Sequence, residues 1–258
     1  MSDFLDTLAM DATKTIDSGY YQTKVSIKQP KISLKQAILS CKANPVITEI
    51  KAASPSLGTI RTQVNPKEIA RAMEKGGAVG ISVLTEPTHF HGSLSTLIQA
   101  REATKLPIIM KDIILVADQI EVAAQIGANA VLLIQALFDK GCSEMSVDKT
   151  IAFAHSNGLE VLLETHTDGE FRFAVETKAD LVGINNRNLA TLKIDLNTTK
   201  EILKNNNSCG KVIVSESGIK TPDDLRFLRE CGAKAFLIGS SIMLTENIEE
   251  KVKEFVKA

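Results

Sequence analysis

The amino-acid sequence predicts a single closed (β/α)8 barrel of the TIM type, preceded by an N-terminal helical extension. Three observations predict it. Eight short apolar runs recur along the chain: PVITEIK (45–51), GISVLT (80–85), PIIMKD (107–112), AVLLIQ (130–135), EVLLET (160–165), LVGINN (181–186), VIVSES (212–217) and AFLIGS (235–240). Parallel strands buried on both faces read as continuous apolar runs of this kind. Nearly every polar or charged interruption falls at the C-terminal end of a run, the face on which barrel enzymes assemble their chemistry. The length of 258 residues and the even strand–helix rhythm fit one such barrel.

Local signals justify the elements in order. Residues 3–17 place Phe4, Leu5, Leu8, Ala9, Ala12 and Ile16 on one helical face, which predicts a helix lying against the barrel. Gly19 to Pro30 reads as a loop. Ser33 and Gln36 form a capping box for a second short helix over about 34–42. Residues 1–44 are too few to build a core of their own, so they extend the barrel at 45–258 rather than form a separate domain. Asn65-Pro66-Lys67-Glu68 reads as a helix start, with Asn as N-cap and Pro at the first helical position. Thr221-Pro222-Asp223-Asp224 repeats that logic. Gly76-Gly77-Ala78, Gly127-Ala128 and Gly232-Ala233 stop helices just before the next strand. A doubly wound open sheet would carry a Gly-rich turn after its first strand. Here Gly76-Gly77-Ala78-Val79-Gly80 precedes a strand instead, and no phosphate-binding loop of the G-x-x-x-x-G-K-[ST] type occurs.

Composition narrows the function classes. A net charge of −1 offers no general attraction to nucleic acid or to an anionic membrane, so an anionic ligand must be held by a local site. No apolar run is long enough to span a bilayer. Met1-Ser2-Asp3-Phe4 lacks the basic and apolar regions of a signal peptide, which predicts a cytoplasmic protein. Cys41, Cys142, Cys209 and Cys231 show no C-x-x-C spacing and read as reduced thiols. His89-Phe90-His91, and the pair Glu164 and His166, fall short of the three or four ligands of a zinc site, so no metal is expected.

The strand ends carry the chemistry. Residues i and i+2 share one face of a strand, so Glu49 and Lys51 are neighbours at the end of the first run. Lys111 ends the third run, Glu164 the fifth and Asn185 the sixth, with Arg187 in the loop that follows. Burying several charges is costly even when they are paired. Two lysines and two carboxylates in one cleft are suited to acid/base work, because burial and neighbours move their pKa values. Ser215-Glu216-Ser217-Gly218-Ile219 and Ile238-Gly239-Ser240-Ser241 close the last two strands. Small residues there let backbone N–H groups approach an anion, and this is the usual phosphate position in barrels. The long segment from Ala52 to Gln63 is a candidate lid over the mouth.

At these residues the chain resembles the indole-3-glycerol phosphate synthase family of tryptophan biosynthesis. The matching stretches are Glu49-Ile50-Lys51 with Ser54-Pro55-Ser56, Ser82-Val83-Leu84-Thr85, Lys111-Asp112, Gly183-Ile184-Asn185-Asn186-Arg187-Asn188-Leu189, Ser215-Glu216-Ser217-Gly218-Ile219 and Gly239-Ser240. They span nearly the whole chain in the family's order. The resemblance implies conversion of 1-(2-carboxyphenylamino)-1-deoxyribulose 5-phosphate to indole-3-glycerol phosphate, with loss of CO₂ and water and no metal or organic cofactor. On that reading Lys111 is the general acid that protonates the ketone oxygen. Glu164 takes one role in the later dehydration, and Lys51, Glu49 or Lys111 the other. Lys51 and Ser54 hold the substrate carboxylate, Asn185 and Arg187 position the substrate, and Glu216 hydrogen-bonds a sugar hydroxyl. Ser217, Gly218, Gly239 and Ser240 bind phosphate, while Phe90, Leu132 and Ile134 wall the aromatic ring. Two departures, Ala52 after the first-strand lysine and Ile113 after Lys-Asp, bear on substrate affinity. The only expected ligand is a small phosphorylated substrate. Both a monomer and association with other tryptophan-pathway enzymes stay open. Two alternatives are weighed: a phosphoribosylanthranilate isomerase-like enzyme, which would place a Cys and an Asp at strand ends, and a non-catalytic barrel that binds a phosphorylated ligand.

Overall fold

A computed structural model describes residues 3–27, 32–54, 58–60 and 65–258. Each apolar run contains one strand: β1 (Val46–Ile50), β2 (Gly80–Leu84), β3 (Ile108–Lys111), β4 (Ala130–Ile134), β5 (Glu160–Thr165), β6 (Leu181–Asn185), β7 (Val212–Glu216) and β8 (Ala235–Ile238). Successive strands pair in parallel, and β8 returns to β1 through Val46↔Phe236 and Ile47↔Leu237, which closes the barrel. The fold is therefore the (β/α)8 barrel that the run pattern predicts.

The alternation of side chains along the strands sorts the core into two bodies. Val46, Ile81, Val83, Met110, Val131, Leu133, Val161, Leu163 and Phe236 face outward and pack under the surrounding helices. Ile47, Ile109, Leu132, Leu162, Leu181, Val212, Val214 and Leu237 fill the barrel itself. Above that fill the inward positions turn polar, with Glu49, Lys111, Glu164, Asn185 and Glu216 at or near the strand ends. The change from apolar to ionisable along one inward face is what separates core from site.

The helices between strands are α3 (Pro66–Lys75), α4 (Leu94–Ala103), α5 (Ala117–Gln125), α6 (Gln135–Asp139) with α7 (Val147–Ser156), α8 (Asp168–Glu176), α9 (Asn197–Asn205) and α10 (Pro222–Glu230). Two more, α11 (Ser240–Met243) and α12 (Ile248–Val256), follow β8. Asn65 and Thr221 cap α3 and α10 as their spacing predicts, each accepting an N–H through its side chain. Gly77, Gly127 and Gly232 adopt the left-handed conformation expected of helix stops.

The extension consists of α1 (Phe4–Asp17) and α2 (Leu34–Ser40), which sit at opposite ends of the barrel. Leu5, Leu8, Ala9 and Ala12 of α1 pack with Ile113, Leu115 and Leu137 beyond the C-terminal ends of the strands. Lys140 holds the start of α1 through Asp3 and Asp6, and His89 holds its middle through Asp11. Leu34 and Ile38 of α2 join the barrel fill from the other end. This helix stops at Ser40, two residues short of the predicted range, and its cap differs from the expected box. Ser33 does accept the Gln36 N–H, but the remaining first-turn donors go to Glu160 at the start of β5. That carboxylate takes the Ser33 hydroxyl and the Leu34 and Lys35 N–H groups, the last two at 2.7 and 3.1 Å. A tertiary partner has replaced a local one.

Candidate active site

The inward charges meet at the mouth. Lys51 Nζ lies 2.7 Å from Glu49 Oε1. Lys111 Nζ stands among three carboxylates: 3.3 Å from Glu49 Oε2, 3.3 Å from Glu216 Oε2 and 4.0 Å from Glu164 Oε2. Asn185 Nδ2 donates to Glu164 Oε1 at 2.8 Å, and Asn185 Oδ1 accepts the Arg187 N–H at 2.9 Å. Strand register accounts for the convergence. Glu164 sits opposite Gly183 across β5 and β6, and Asn185 opposite Glu216 across β6 and β7.

Two glycines give the carboxylates room. A methyl group on Gly183 would lie 2.2 Å from Glu216 Oε1, and one on Gly239 would lie 2.4 Å from Glu49 Oε1. Any side chain at either position would displace a member of the cluster.

The electrostatics follow from burial and neighbours. Burial opposes charge on Glu49, but Lys51 and Lys111 outweigh it and hold the carboxyl at about 2. Burial likewise works against the Lys111 ammonium, and Glu49, Glu216 and Glu164 together raise its pKa well above the ordinary lysine range. Its neighbours thus hold Lys111 as an ammonium ion. Burial alone lowers Arg187, with Glu49 opposing. Asp112 is buried with Thr85 and the Ile113 N–H as partners, and burial pushes it up to about 6.

These groups line a cavity of about 370 Å³. Glu49, Lys51, Lys111, Glu164, Asn185 and Arg187 line it together with the apolar Phe90, Leu132 and Ile134. Ser217, Gly218, Gly239 and Ser240 line it as well. Ser217 and Gly218 both have positive φ, and a methyl on Gly218 would lie 2.6 Å from Ile194 Cγ2, so a glycine is required there. The first N–H groups of a helix have no intrahelical acceptor, and α11 begins at Ser240 in the cavity lining.

Glu216 is completely buried, lies outside the residues that line the cavity and accepts a hydrogen bond from Lys111. Ala53–Ser54 and Gly58–Thr59 form a short antiparallel ladder after β1. The Ser54 side chain, Pro55, Ser56 and the later part of the candidate lid lie outside the described residues.

The sequence reading missed several wall residues. Phe4 and Leu8 reach the cavity from α1, and Leu189, Leu192 and Ile194 from the loop after β6. The apolar face of α1 is a signal for the first pair, while the loop residues have none. Glu86, buried after β2, accepts the N–H groups of Thr88, His89 and Phe90 and so sets the aromatic wall. Lys220 lines the cavity too. No cysteine lines it.

Fold and cavity together define a (β/α)8 barrel with a buried cluster of lysines and carboxylates and two Gly-Ser turns lining one chamber. The family model described as indole-3-glycerol phosphate synthase matches residues 7–255. The indole-3-glycerol phosphate synthase of Methanocaldococcus jannaschii is 47% identical over 256 residues, covering 95% of this chain and 91% of that protein. The enzyme of the same name from Pyrococcus furiosus is 40% identical over 228 residues, covering 87% and 97%. The chain belongs to the indole-3-glycerol phosphate synthase family. A thiamine phosphate pyrophosphorylase from Pyrococcus furiosus superposes with a TM-score of 0.62 at 16% identity, covering 86% of this chain and 96% of that one, a likeness of fold alone.

Proposed function

We propose that this chain converts 1-(2-carboxyphenylamino)-1-deoxyribulose 5-phosphate to indole-3-glycerol phosphate, a decarboxylating carbon–carbon lyase reaction of tryptophan biosynthesis. The observation that supports this reading is Lys111, ringed by carboxylates, in one cavity with the apolar Phe90, Leu132 and Ile134 and the small residues Ser217, Gly218, Gly239 and Ser240. A phosphorylated substrate with an aromatic ring suits such a cavity, its phosphate at the small residues and its ring at the apolar ones. Its ring carbon attacks the ketone carbon as Lys111 donates a proton to the ketone oxygen. Lys51 holds the substrate carboxylate until it leaves as CO₂, a role in which Ser54 joins it. Departure of CO₂ restores the aromatic ring. Loss of the new hydroxyl as water then needs an acid and a base in reach of the same carbons. Glu164, oriented by Asn185, is one of them, and Lys51, Glu49 or Lys111 the other. Arg187 positions the substrate, Ser217, Gly218, Gly239 and Ser240 bind its phosphate, and Phe90, Leu132 and Ile134 hold its ring.

No helix among the described residues is long and apolar enough to cross a membrane. A biosynthetic enzyme handling a small phosphorylated metabolite fits a cytoplasmic location. Residues 1–44 act with the barrel as one unit, since α1 completes the chamber wall.

The test is to add the substrate to purified protein without added metal or cofactor and follow indole fluorescence. Fluorescence rises with the unaltered protein. Lys111→Ala lowers kcat by about 10³-fold with a small change in KM, as expected for loss of a general acid. Tight substrate binding without turnover would instead support the non-catalytic barrel.

A further inference from the structure

We propose that Glu216 is held as a neutral carboxylic acid beside Lys111 and acts through it, returning to Lys111 the proton given to the substrate. The second half of this inference rests on the proposed ring closure; the first half stands on the geometry alone.

Three carboxylates, Glu49, Glu164 and Glu216, surround two ammonium groups, Lys51 and Lys111. Lys51 pairs with Glu49, which leaves Lys111 facing both Glu164 and Glu216. Arg187 makes no ion pair among the described residues and directs Nη1 to the Leu192 carbonyl. With every carboxyl ionised, three negative charges would face the two ammonium groups in contact with them, and Arg187, which acts on Glu49 but pairs with none of the three, would be left to offset the third from a distance. One proton removes the imbalance, and the surroundings of each carboxyl point to where it sits. Glu164 borders the cavity and accepts from Asn185. Glu216 is wholly buried and accepts from Lys111 through Oε2, while Oε1 has no hydrogen-bond partner among the described residues. That bare oxygen occupies the space left by the missing side chain of Gly183, next to the backbone of Glu164. A buried carboxylate with one unsatisfied oxygen is the member of the set least able to carry charge.

The groups around Glu216 agree. Burial raises its pKa, Glu164 and Glu49 raise it further, and Lys111 alone opposes them. Lys111 lies on β3, Glu49 on β1 and Glu164 on β5.

The chemistry gives the proton a use. With the substrate carboxylate ionised, the overall reaction takes up one proton and releases CO₂ and water. Lys111 gives a proton to the ketone oxygen as the new C–C bond forms and becomes a neutral amine. The Glu216 proton, carried on Oε1 while Oε2 accepts from the ammonium, reaches that amine by rotation of the carboxyl group. Lys111 is an ammonium ion again, Glu216 is its carboxylate partner, and solvent restores the acid before the next cycle.

The decisive experiment is infrared spectroscopy of the substrate-free protein at neutral pH, comparing the unaltered chain with Glu216→Gln. A protonated-carboxyl C=O band that is missing from the variant is expected. Spectra that coincide in that region would overturn the assignment. Should the variant not fold, unaltered protein labelled with ¹³C-glutamate replaces it. A labelled band at neutral pH supports Glu216, and the label separates it from Asp112; absence of the band refutes it. In turnover, Glu216→Gln keeps the neutral shape and removes the proton. We expect kcat to fall about tenfold or more with KM nearly constant, and the alkaline limb of the kcat profile to shift. A raised KM at constant kcat would mark a sugar contact and overturn the resupply role. An inactive native enzyme that shows the band would count against the proposed reaction and leave the protonation state standing.

Discussion

Asp112 shows how burial can set a residue's behaviour. It follows Lys111 directly, yet burial, with Glu86 adding to it, raises its carboxyl to about 6, while Thr85, the Ile113 N–H and Tyr21 moderate the rise. A folded pKa above the ordinary value of 3.8 means that the native state holds this proton more tightly than the unfolded chain. The resulting stability is complete below the unfolded value and is lost as pH rises through 6. Two pKa units correspond to about 3 kcal/mol. Asp112→Asn keeps an acceptor for the Ile113 N–H and cannot ionise. Its Tm relative to the native chain should therefore climb between pH 4 and pH 7, measured by calorimetry. A difference that is flat across that range would remove Asp112 as the cause. Glu49 has the opposite sign: its pKa is depressed, so its contribution is present above 4.5 and is lost as pH falls towards 2.

Among the elements, α2 was only partly legible from local sequence. Its N-cap Ser33 and its apolar face, Leu34 and Ile38, are written in the segment itself. Its anchor is Glu160, which is 127 residues away in sequence from Ser33. A carboxylate at a helix N-terminus is favourable through both the free N–H groups and the dipole. Glu160→Ala should cost about 2 kcal/mol, near the upper range for lost caps, and lower Tm by about 4–8 °C. Because Glu160 begins β5 at the end away from the cavity, KM and kcat measured below the transition should hold. A fall in kcat at unchanged Tm would mean that α2 communicates with the mouth. The loop after β6 is the contrary case. Leu189, Leu192 and Ile194 read as stray apolar residues in a polar stretch until the cavity they wall is seen.

For the whole molecule, the net charge of −1 contrasts with the gathering of ionisable groups of both signs at the cavity. The cations Lys51, Lys111, Arg187 and Lys220 line it together with the carboxyls of Glu49, Glu86, Asp112 and Glu164, and Gly218 and Gly239 border it as well. A ligand that binds only the folded state raises stability in step with its concentration. Inorganic phosphate at ten times its Kd should stabilise by about 1.4 kcal/mol and raise Tm by about 3–6 °C. It should also compete with the substrate. Chloride at matched ionic strength should do neither. If both salts act alike, the effect is general screening and the cradle at Ser217, Gly218, Gly239 and Ser240 is not an anion site.

The sequence by itself determined the barrel, because strands buried on both faces must be continuously apolar and leave a periodic record. It also marked the strand ends at which ionisable and polar side chains gather, since Glu49, Lys51, Lys111, Glu164 and Asn185 interrupt apolar runs at positions where no core needs them. Only the tertiary structure decided how those groups are set against one another. Glu164 and Glu216 both stand at the C-terminal ends of strands, β5 and β7, separated by β6, and nothing local distinguishes them. Closure of the barrel buries Glu216 against Lys111, outside the cavity lining, and leaves Glu164 in that lining. Charge balance and desolvation depend on distances between strands far apart in the chain, and those distances exist only once β8 has met β1.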